Sequence, residues 1–95
     1  MTGKQRSYLK ALANGLGTKA QIGKEGITDA VLAQLDQILE ARELVKVHVL
    51  ENCQLSAKEA ANEAAKSLKA EFVQSIGRKF VIYRESKDNK TIELP

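Results

Sequence analysis

The chain has 95 residues, too few for two independent hydrophobic cores, so we expect a single domain over residues 1–95. Hydrophobic residues make up 43% of the chain and charged residues 28%, a balance that excludes an intrinsically disordered protein. With two Phe, two Tyr and no Trp, the chain has too few rings for a single-strand binder that stacks bases on a row of aromatic side chains.

Cys53 is the only cysteine and His48 the only histidine, which excludes an intrachain disulfide and a structural zinc site. A lone thiol fits a reducing compartment. The N-terminal residues have no apolar signal core, and no apolar run is long enough to span a membrane. We therefore expect a monomeric cytoplasmic protein that needs no metal, cofactor or membrane.

The net charge of +3 hides an uneven distribution. Residues 1–24 carry five bases and no acid, residues 25–63 eight acids and three bases, and residues 64–95 seven bases and four acids. We expect a basic pole formed by the two chain ends. Such a local field attracts polyanions, although a merely solvated charged surface would give the same counts.

Thr2 is placed to cap a first helix, which ends near Asn14 because Asn and the following glycines tolerate left-handed geometry. Large apolar residues recur within it at helical spacing: Tyr8, Leu9 and Leu12. A short strand over about residues 19–22 follows.

Thr28 is a good N-cap for a second helix, with Asp29 in its first turn. Its apolar face comprises Val31, Leu32, Leu35, Ile38 and Leu39. In the β-rich run over residues 44–50 the valines share one side and Lys46 and His48 the other. We therefore expect one face of this strand to meet solvent.

Ser56 and Glu59 form a capping-box pattern that opens an alanine-rich third helix, ending at about residue 70. Residues 72–76 and 80–84 are typical of two strands joined by a tight hairpin at residues 77–78.

The tail from about residue 85 is polar, with a short edge strand expected at Ile92 and Leu94. The element order is therefore α-β-α-β-α-β-β. Strand-helix-strand units favour parallel strands, and the last pair is antiparallel. The sequence predicts a compact α/β sandwich with a four-stranded mixed sheet.

The segment Gly23-Lys24-Glu25-Gly26 lies between a predicted strand and a helix N-terminus, where free N–H groups and the helix dipole favour an anion. Glycines let the backbone approach a phosphate and Lys24 adds a positive charge, whereas Glu25 repels phosphate unless it points away. A Gly-x-x-Gly loop of this kind clamps the nucleic-acid backbone in KH domains. A plain tight turn uses the same residues, so both interpretations stay open.

No catalytic motif is present: the chain has neither Gly-x-Gly-x-x-Gly nor a Walker loop, and Cys53 and His48 lack an orienting partner. Basic residues instead gather around the predicted hairpin and beyond it: Arg78, Lys79, Arg84, Lys87 and Lys90. Tyr83 lies among them, placed either to stack on a base or, more commonly for a tyrosine, to pack in the core.

Six segments together resemble the YhbY-type bacterial proteins of the CRM domain family (chloroplast RNA splicing and ribosome maturation). They are residues 4–6, 9–13, 22–28, 43–47, 76–84 and 92–95. The resemblance spans essentially the whole chain in the right order. It implies a stand-alone CRM domain with a fold similar to the C-terminal domain of translation initiation factor three.

The resemblance also implies RNA binding, with bacterial single-domain members associated with precursor large ribosomal subunits and plant relatives with group II intron splicing. The implied RNA contact is the loop of Gly23, Lys24, Glu25 and Gly26. The implied supporting surface is Lys4, Arg6, Lys10, Arg78 and Lys79. The predicted RNA-binding set is completed by Thr28, Lys19 and Arg84.

We therefore expect a non-catalytic protein that binds ribosomal RNA of precursor large subunits and assists their assembly, with no small-molecule substrate. One alternative is a protein-binding adaptor whose acidic second helix contacts a basic ribosomal protein. A second alternative, a small enzyme, lacks any set of residues from which to assemble a site.

Overall fold

The computed structural model describes residues 1–95 and shows three helices and four strands in the predicted order. The chain is an α/β protein with a four-stranded mixed sheet, which confirms the predicted fold class. The elements are α1 (Gly3–Ala13), β1 (Ala20–Ile22), α2 (Asp29–Arg42), β2 (Leu44–Val49), α3 (Ala57–Leu68), β3 (Glu71–Ile76) and β4 (Lys79–Tyr83).

The strands lie in the order β1-β2-β4-β3. β1 and β2 are parallel, whereas β4 pairs antiparallel with both β2 and β3. Because β4 lies between β2 and β3, these two strands run in the same direction without pairing. The ends of β1 at Ile22 and β2 at Val49 therefore lie beside the β3–β4 turn at residues 77–78. We call this the upper end of the sheet.

Side-chain oxygens cap all three helices, since Thr2, Thr28 and Ser56 each accept a hydrogen bond from the backbone N–H three residues further on. The capping box predicted at Ser56 is confirmed, because the Glu59 carboxylate accepts from the Ser56 N–H at 2.9 Å. A second capping box, between Thr2 and Gln5, was not predicted. None of the helices combines the length and apolar character that crossing a membrane requires.

The helix C-termini differ from the prediction. Asn14 caps α1 in right-handed helical geometry (φ −60°), so the left-handed ending predicted there is wrong. Left-handed residues instead end α2 at Glu43 (φ 68°) and α3 at Lys69 (φ 56°). Neither is Gly or Asn, the residue types that usually adopt this geometry.

The larger hydrophobic core lies between one face of the sheet and the pair α2 and α3. It includes Leu35 and Leu39 of α2, the valines of β2, and Phe80 and Ile82 of β4. The buried residues of α3 are all alanines, namely Ala57, Ala60, Ala61, Ala64 and Ala65, and Leu68 at its end packs partly buried against the same core. Methyl side chains let this helix approach the sheet closely.

A smaller cluster covers the lower part of the opposite face, where α1 and the tail pack. Its buried members are Leu9, Ala13, Leu44, Val73, Val81 and Tyr83. Tyr8 and Leu12, which share the predicted helical spacing, are 40% and 38% exposed, so the buried stripe of α1 is narrower than predicted. Tyr83 packs in the core, and its ring is not available to stack on a base.

The tail is held by a buried carboxylate and not by strand pairing. Glu43 is fully buried and accepts hydrogen bonds from the backbone N–H groups of Ser86 (2.8 Å), Thr91 (2.7 Å) and Ile92 (2.7 Å). The edge strand predicted at Ile92 and Leu94 is wrong, because the tail forms no strand and the Ile92 N–H bonds to the carboxylate.

Burial raises the pKa of Glu43, but the hydrogen bonds from Ser86, Ile92 and Thr91 outweigh burial, so the pKa lies below its ordinary value of 4.5. Glu40, one turn earlier in α2, accepts from the Ser86 hydroxyl at 2.9 Å, and this bond lowers its pKa as well. The end of α2 thus binds the tail through two ionised carboxylates.

We predict that the free energy of unfolding falls as the pH drops below about 4.5, in part through Glu43. Its lowered pKa means that the carboxylate stabilises the fold above its unfolded-state pKa, and that this stabilisation is lost as it binds a proton at lower pH. Glu43→Gln should cost about 2–3 kcal/mol at neutral pH, because a backbone N–H would face the amide NH2. Urea unfolding measures both effects.

The Gln variant serves as the control for the pH dependence. The stability difference between the two proteins should be largest at neutral pH and narrow as the pH falls through the lowered pKa of Glu43, where the carboxylate binds a proton. A difference that stays constant across this range would show that the charge of Glu43 does not stabilise the fold.

Candidate nucleic-acid interface

The loop from Gly23 to Gly26 begins at the upper end of the sheet. The N–H of Gly26 donates to the carbonyl oxygen of Gly23 at 3.0 Å and closes a tight turn with Lys24 and Glu25 exposed at its tip. Gly26 has φ +72°, which strains any side-chain-bearing residue. A Cβ on Gly23 would make only ordinary contact with Leu50 at 3.7 Å, so backbone geometry requires glycine at Gly26 alone.

The N-terminus of α2 directly follows the loop. The Thr28 hydroxyl accepts from the Val31 N–H at 3.1 Å and acts as the helix cap. The N–H groups of Asp29 and Ala30 have no acceptor within the chain. These two donors and the helix dipole favour an anion, but the Asp29 carboxylate in the same turn competes with one from outside.

Arg78 is occupied inside the protein. Its guanidinium donates to the carbonyl oxygens of Val49 (3.1 Å), Leu50 (2.6 Å) and Cys53 (3.4 Å), while its own carbonyl accepts from the Val49 N–H at 2.7 Å. The Leu50 N–H in turn donates to Ile22 at 2.8 Å, at the end of β1. Arg78 therefore fixes the β3–β4 turn against the segment that supports the loop.

The other two predicted arginines are also engaged within the chain. Arg84 pairs with Asp36 at 2.8 Å and Glu40 at 3.8 Å, at the end of the sheet opposite the loop. The structure therefore does not bring Arg84 to the loop. Arg6 donates from Nε to the carbonyl oxygen of Phe72 at 3.1 Å and attaches α1 to β3.

The predicted lysines behave differently, because all are exposed and none has a carboxylate oxygen within 4.0 Å. They are Lys4, Lys10, Lys19, Lys24 and Lys79. Lys24 and Lys79 lie at the upper end of the sheet, Lys19 just before β1, and the other two on α1. Their amino groups are thus free to bind an external anion.

Lys46 and His48, which were not among the predicted site residues, lie on the same sheet face as Lys79. His48 pairs with Lys79 on one side and with Gln21 on the other. The alternating burial of β2 confirms that its valines face the core and that Lys46 and His48 face the other side. The alternation of valines with Lys46 and His48 is visible in the sequence, and it could have added these two residues to the predicted RNA-binding set.

No group of three or more His, Cys, Asp or Glu side chains is arranged to hold a metal ion. Cys53 is buried in the core beneath α2 and α3, whereas His48 lies on the opposite face of the sheet. The two residues therefore do not form a nucleophile–base pair. The exposed lysines described above favour recognition of an anion.

Comparison of the chain with known proteins identifies a family to which it is similar. Residues 1–84 match the model of the CRS1 / YhbY (CRM) domain. The chain is 44% identical over 95 residues to the probable RNA-binding protein YqeI of Bacillus subtilis, covering all of this chain and 99% of that one. It is 37% identical over 92 residues to an RNA-binding protein of Haemophilus influenzae, with 97% and 92% covered.

A solved structure supports the same relationship. The chain is similar to the solution structure of a hypothetical Staphylococcus aureus protein that has been proposed to bind RNA. The TM-score is 0.84 and the sequence identity 50%, with all of this chain and 99% of that chain covered. The resemblance therefore extends from the sequence to the complete fold.

We predict that the adjacent residues Arg78 and Lys79 differ sharply in their effect on stability. Arg78→Ala should lower the free energy of unfolding by about 2–3 kcal/mol, because three carbonyl oxygens lose a charged donor. Lys79→Ala, the matched control, should change it by less than about 0.5 kcal/mol. Urea denaturation of the two variants tests this, and equal losses would contradict a structural role for Arg78.

Proposed function

This chain belongs to the CRS1 / YhbY (CRM) domain family, and on that basis we propose that it is a non-catalytic RNA-binding protein. Its proposed target is ribosomal RNA in precursor large subunits, whose assembly it assists. The names of its relatives support RNA as the partner. The resemblance to YhbY-type proteins supports the choice of the large subunit.

One observation carries the proposal: the predicted basic residues divide into engaged arginines and free lysines. Arg6, Arg78 and Arg84 donate to acceptors inside the chain. The lysines have no acid partner. A guanidinium can donate to several fixed carbonyl oxygens at once, and a free ammonium on a flexible stem can bind a phosphate as a point charge. The free lysines thus form a surface suited to a polyanion.

The proposed mechanism is positioning. Lys24 and the α2 N–H groups would contact one phosphate at the loop, while the lysines of α1 and the sheet spread further contacts over folded RNA. Each neutralised phosphate releases condensed counterions, which drives binding and makes it salt-dependent. Holding RNA in a shape suited to assembly requires no bond to be made or broken.

The adaptor alternative depends on the acids of α2 being available to a basic partner. Asp36 and Glu40 already pair with Arg84, and Glu40 also binds the tail. Two of the acids that would contact such a partner are thus engaged within the chain. The free lysines support RNA more strongly than the partly neutralised helix supports a protein.

We predict salt-dependent binding to fragments of large-subunit ribosomal RNA. The logarithm of the affinity should fall linearly with the logarithm of the salt concentration, and Lys24→Glu should reduce that slope by about 0.7–0.9, the value of one phosphate contact. One fragment should be preferred. Assembled large subunits should compete less well than the bare fragment, because ribosomal proteins cover their RNA.

Lys66→Glu is the matched control, since Lys66 is an exposed lysine of α3 without an ion-pair partner. It should leave the slope close to that of the parent protein. The proposal fails if Lys24→Glu binds RNA with the same salt slope as the parent. It also fails, in favour of the adaptor alternative, if RNA binding is weak at moderate salt while a complex with a basic ribosomal protein is stable.

A further inference from the structure

The upper part of the sheet face opposite α2 and α3 is not covered by a helix. α1 and the tail pack lower on this face, over the cluster that includes Leu9, Leu44 and Val81. Above them, strand pairing aligns one row of residues across all four strands. The row consists of Gln21, His48, Lys79 and Ile76. Together with Lys19 and Lys46, which lie beside it, this row forms what we call the open sheet face.

The open sheet face is positive and free of acids. Lys19, Lys46 and Lys79 have no ion-pair partner. Two hollows adjoin it: one of about 570 Å³ at the β1 edge, lined by Lys19, His48 and, from α2, Gln34, and one of about 150 Å³ beside Lys46, with Lys79 lining both. No Asp or Glu lines either hollow. An anion placed there therefore meets only positive and neutral groups.

The same face also offers groups that suit nucleobases. The amides of Gln21, Asn14 and Gln74 line the hollows, and each carries both donors and an acceptor, as base edges do. Ile76 is an apolar side chain left 68% exposed in the row. The half-buried ring of His48 lies in the centre of the row. A surface that bound only phosphates through its charge would need neither the amides nor Ile76 nor His48.

We propose that the open sheet face binds a single-stranded segment of RNA. Phosphates contact Lys19, Lys46 and Lys79, and unpaired bases lie toward the amides, His48 and Ile76. The inference rests on the proposed RNA-binding function and adds the kind of RNA that is bound.

Single-stranded RNA fits this face better than a duplex. An RNA duplex keeps its base faces stacked, its Watson–Crick edges paired and its major-groove edges in a deep, narrow groove, whereas loops and unpaired segments expose the faces and these edges. Only an unpaired base can therefore offer its face to Ile76 and its Watson–Crick edge to the amides. The face also adjoins the loop, since Gln21 precedes Gly23 by two residues. A strand held at the loop therefore continues directly onto the row.

The test compares the double variant Lys46→Gln/Lys79→Gln with the control Lys66→Gln/Lys87→Gln, which removes two exposed lysines elsewhere. Fluorescence anisotropy measures binding to a short unstructured RNA and to an RNA duplex of equal length. The parent should prefer the single strand. The sheet variant should lose about tenfold or more for the single strand, with a salt slope smaller by about 1.4, and lose less for the duplex.

Ile76→Ser provides a second measurement that does not depend on charge. Because Ile76 is exposed, the variant should keep the melting temperature of the parent. It should weaken single-strand binding severalfold without changing the salt slope, as expected for a contact to a base or ribose. Unchanged single-strand binding would count against bases lying on this face.

Each remaining outcome has a defined meaning. If the double sheet variant binds single strands like the parent while Lys24→Glu loses RNA, the proposed function stands and the open sheet face is not a binding site. If the sheet variant loses single strand and duplex equally, the face is an unselective phosphate contact and the inference fails. If the parent binds neither RNA, both the inference and the proposed function fail.

Discussion

The guanidinium of Arg78 holds the upper end of the sheet together, and the position of the proposed RNA surface depends on it. Its donors reach the carbonyl oxygen at the end of β2 and two in the segment that follows, and that segment in turn bonds to the end of β1. The turn that carries Lys79 and the loop that carries Lys24 are thereby fixed on one rigid frame. A fixed frame lets mobile lysine side chains present their charges without reordering the backbone on binding.

At the other end of the sheet Glu43 has a comparable role with the opposite charge. Its buried carboxylate holds the tail, and apolar residues of the tail pack with α1 over the lower part of the sheet. This packing places α1 low on the face and leaves the upper row open to solvent. A structural carboxylate and a structural guanidinium thus determine which part of the sheet is covered and which is available to a ligand.

Local chemistry made much of the fold predictable from the sequence. Thr28 and Ser56 cap their helices through atoms three residues away, and the alternation of β2 placed Lys46 and His48 away from the core. The roles of Arg78, Arg84 and Glu43 were not predictable, because their partners lie 16 to 49 residues distant along the chain. Counting charges identifies a basic surface but does not show which bases are already hydrogen-bonded or ion-paired inside the fold.

The most direct test of the account is an NMR titration of the labelled protein with a large-subunit ribosomal RNA fragment. The backbone amides and lysine side chains report which surface meets the RNA. If the loop and the open sheet face bind RNA, the largest shift changes fall at residues 23–26 and on the open sheet face, with little change around Lys66 of α3. Largest changes on the outer surfaces of α2 and α3, with the loop unaffected, would contradict the account.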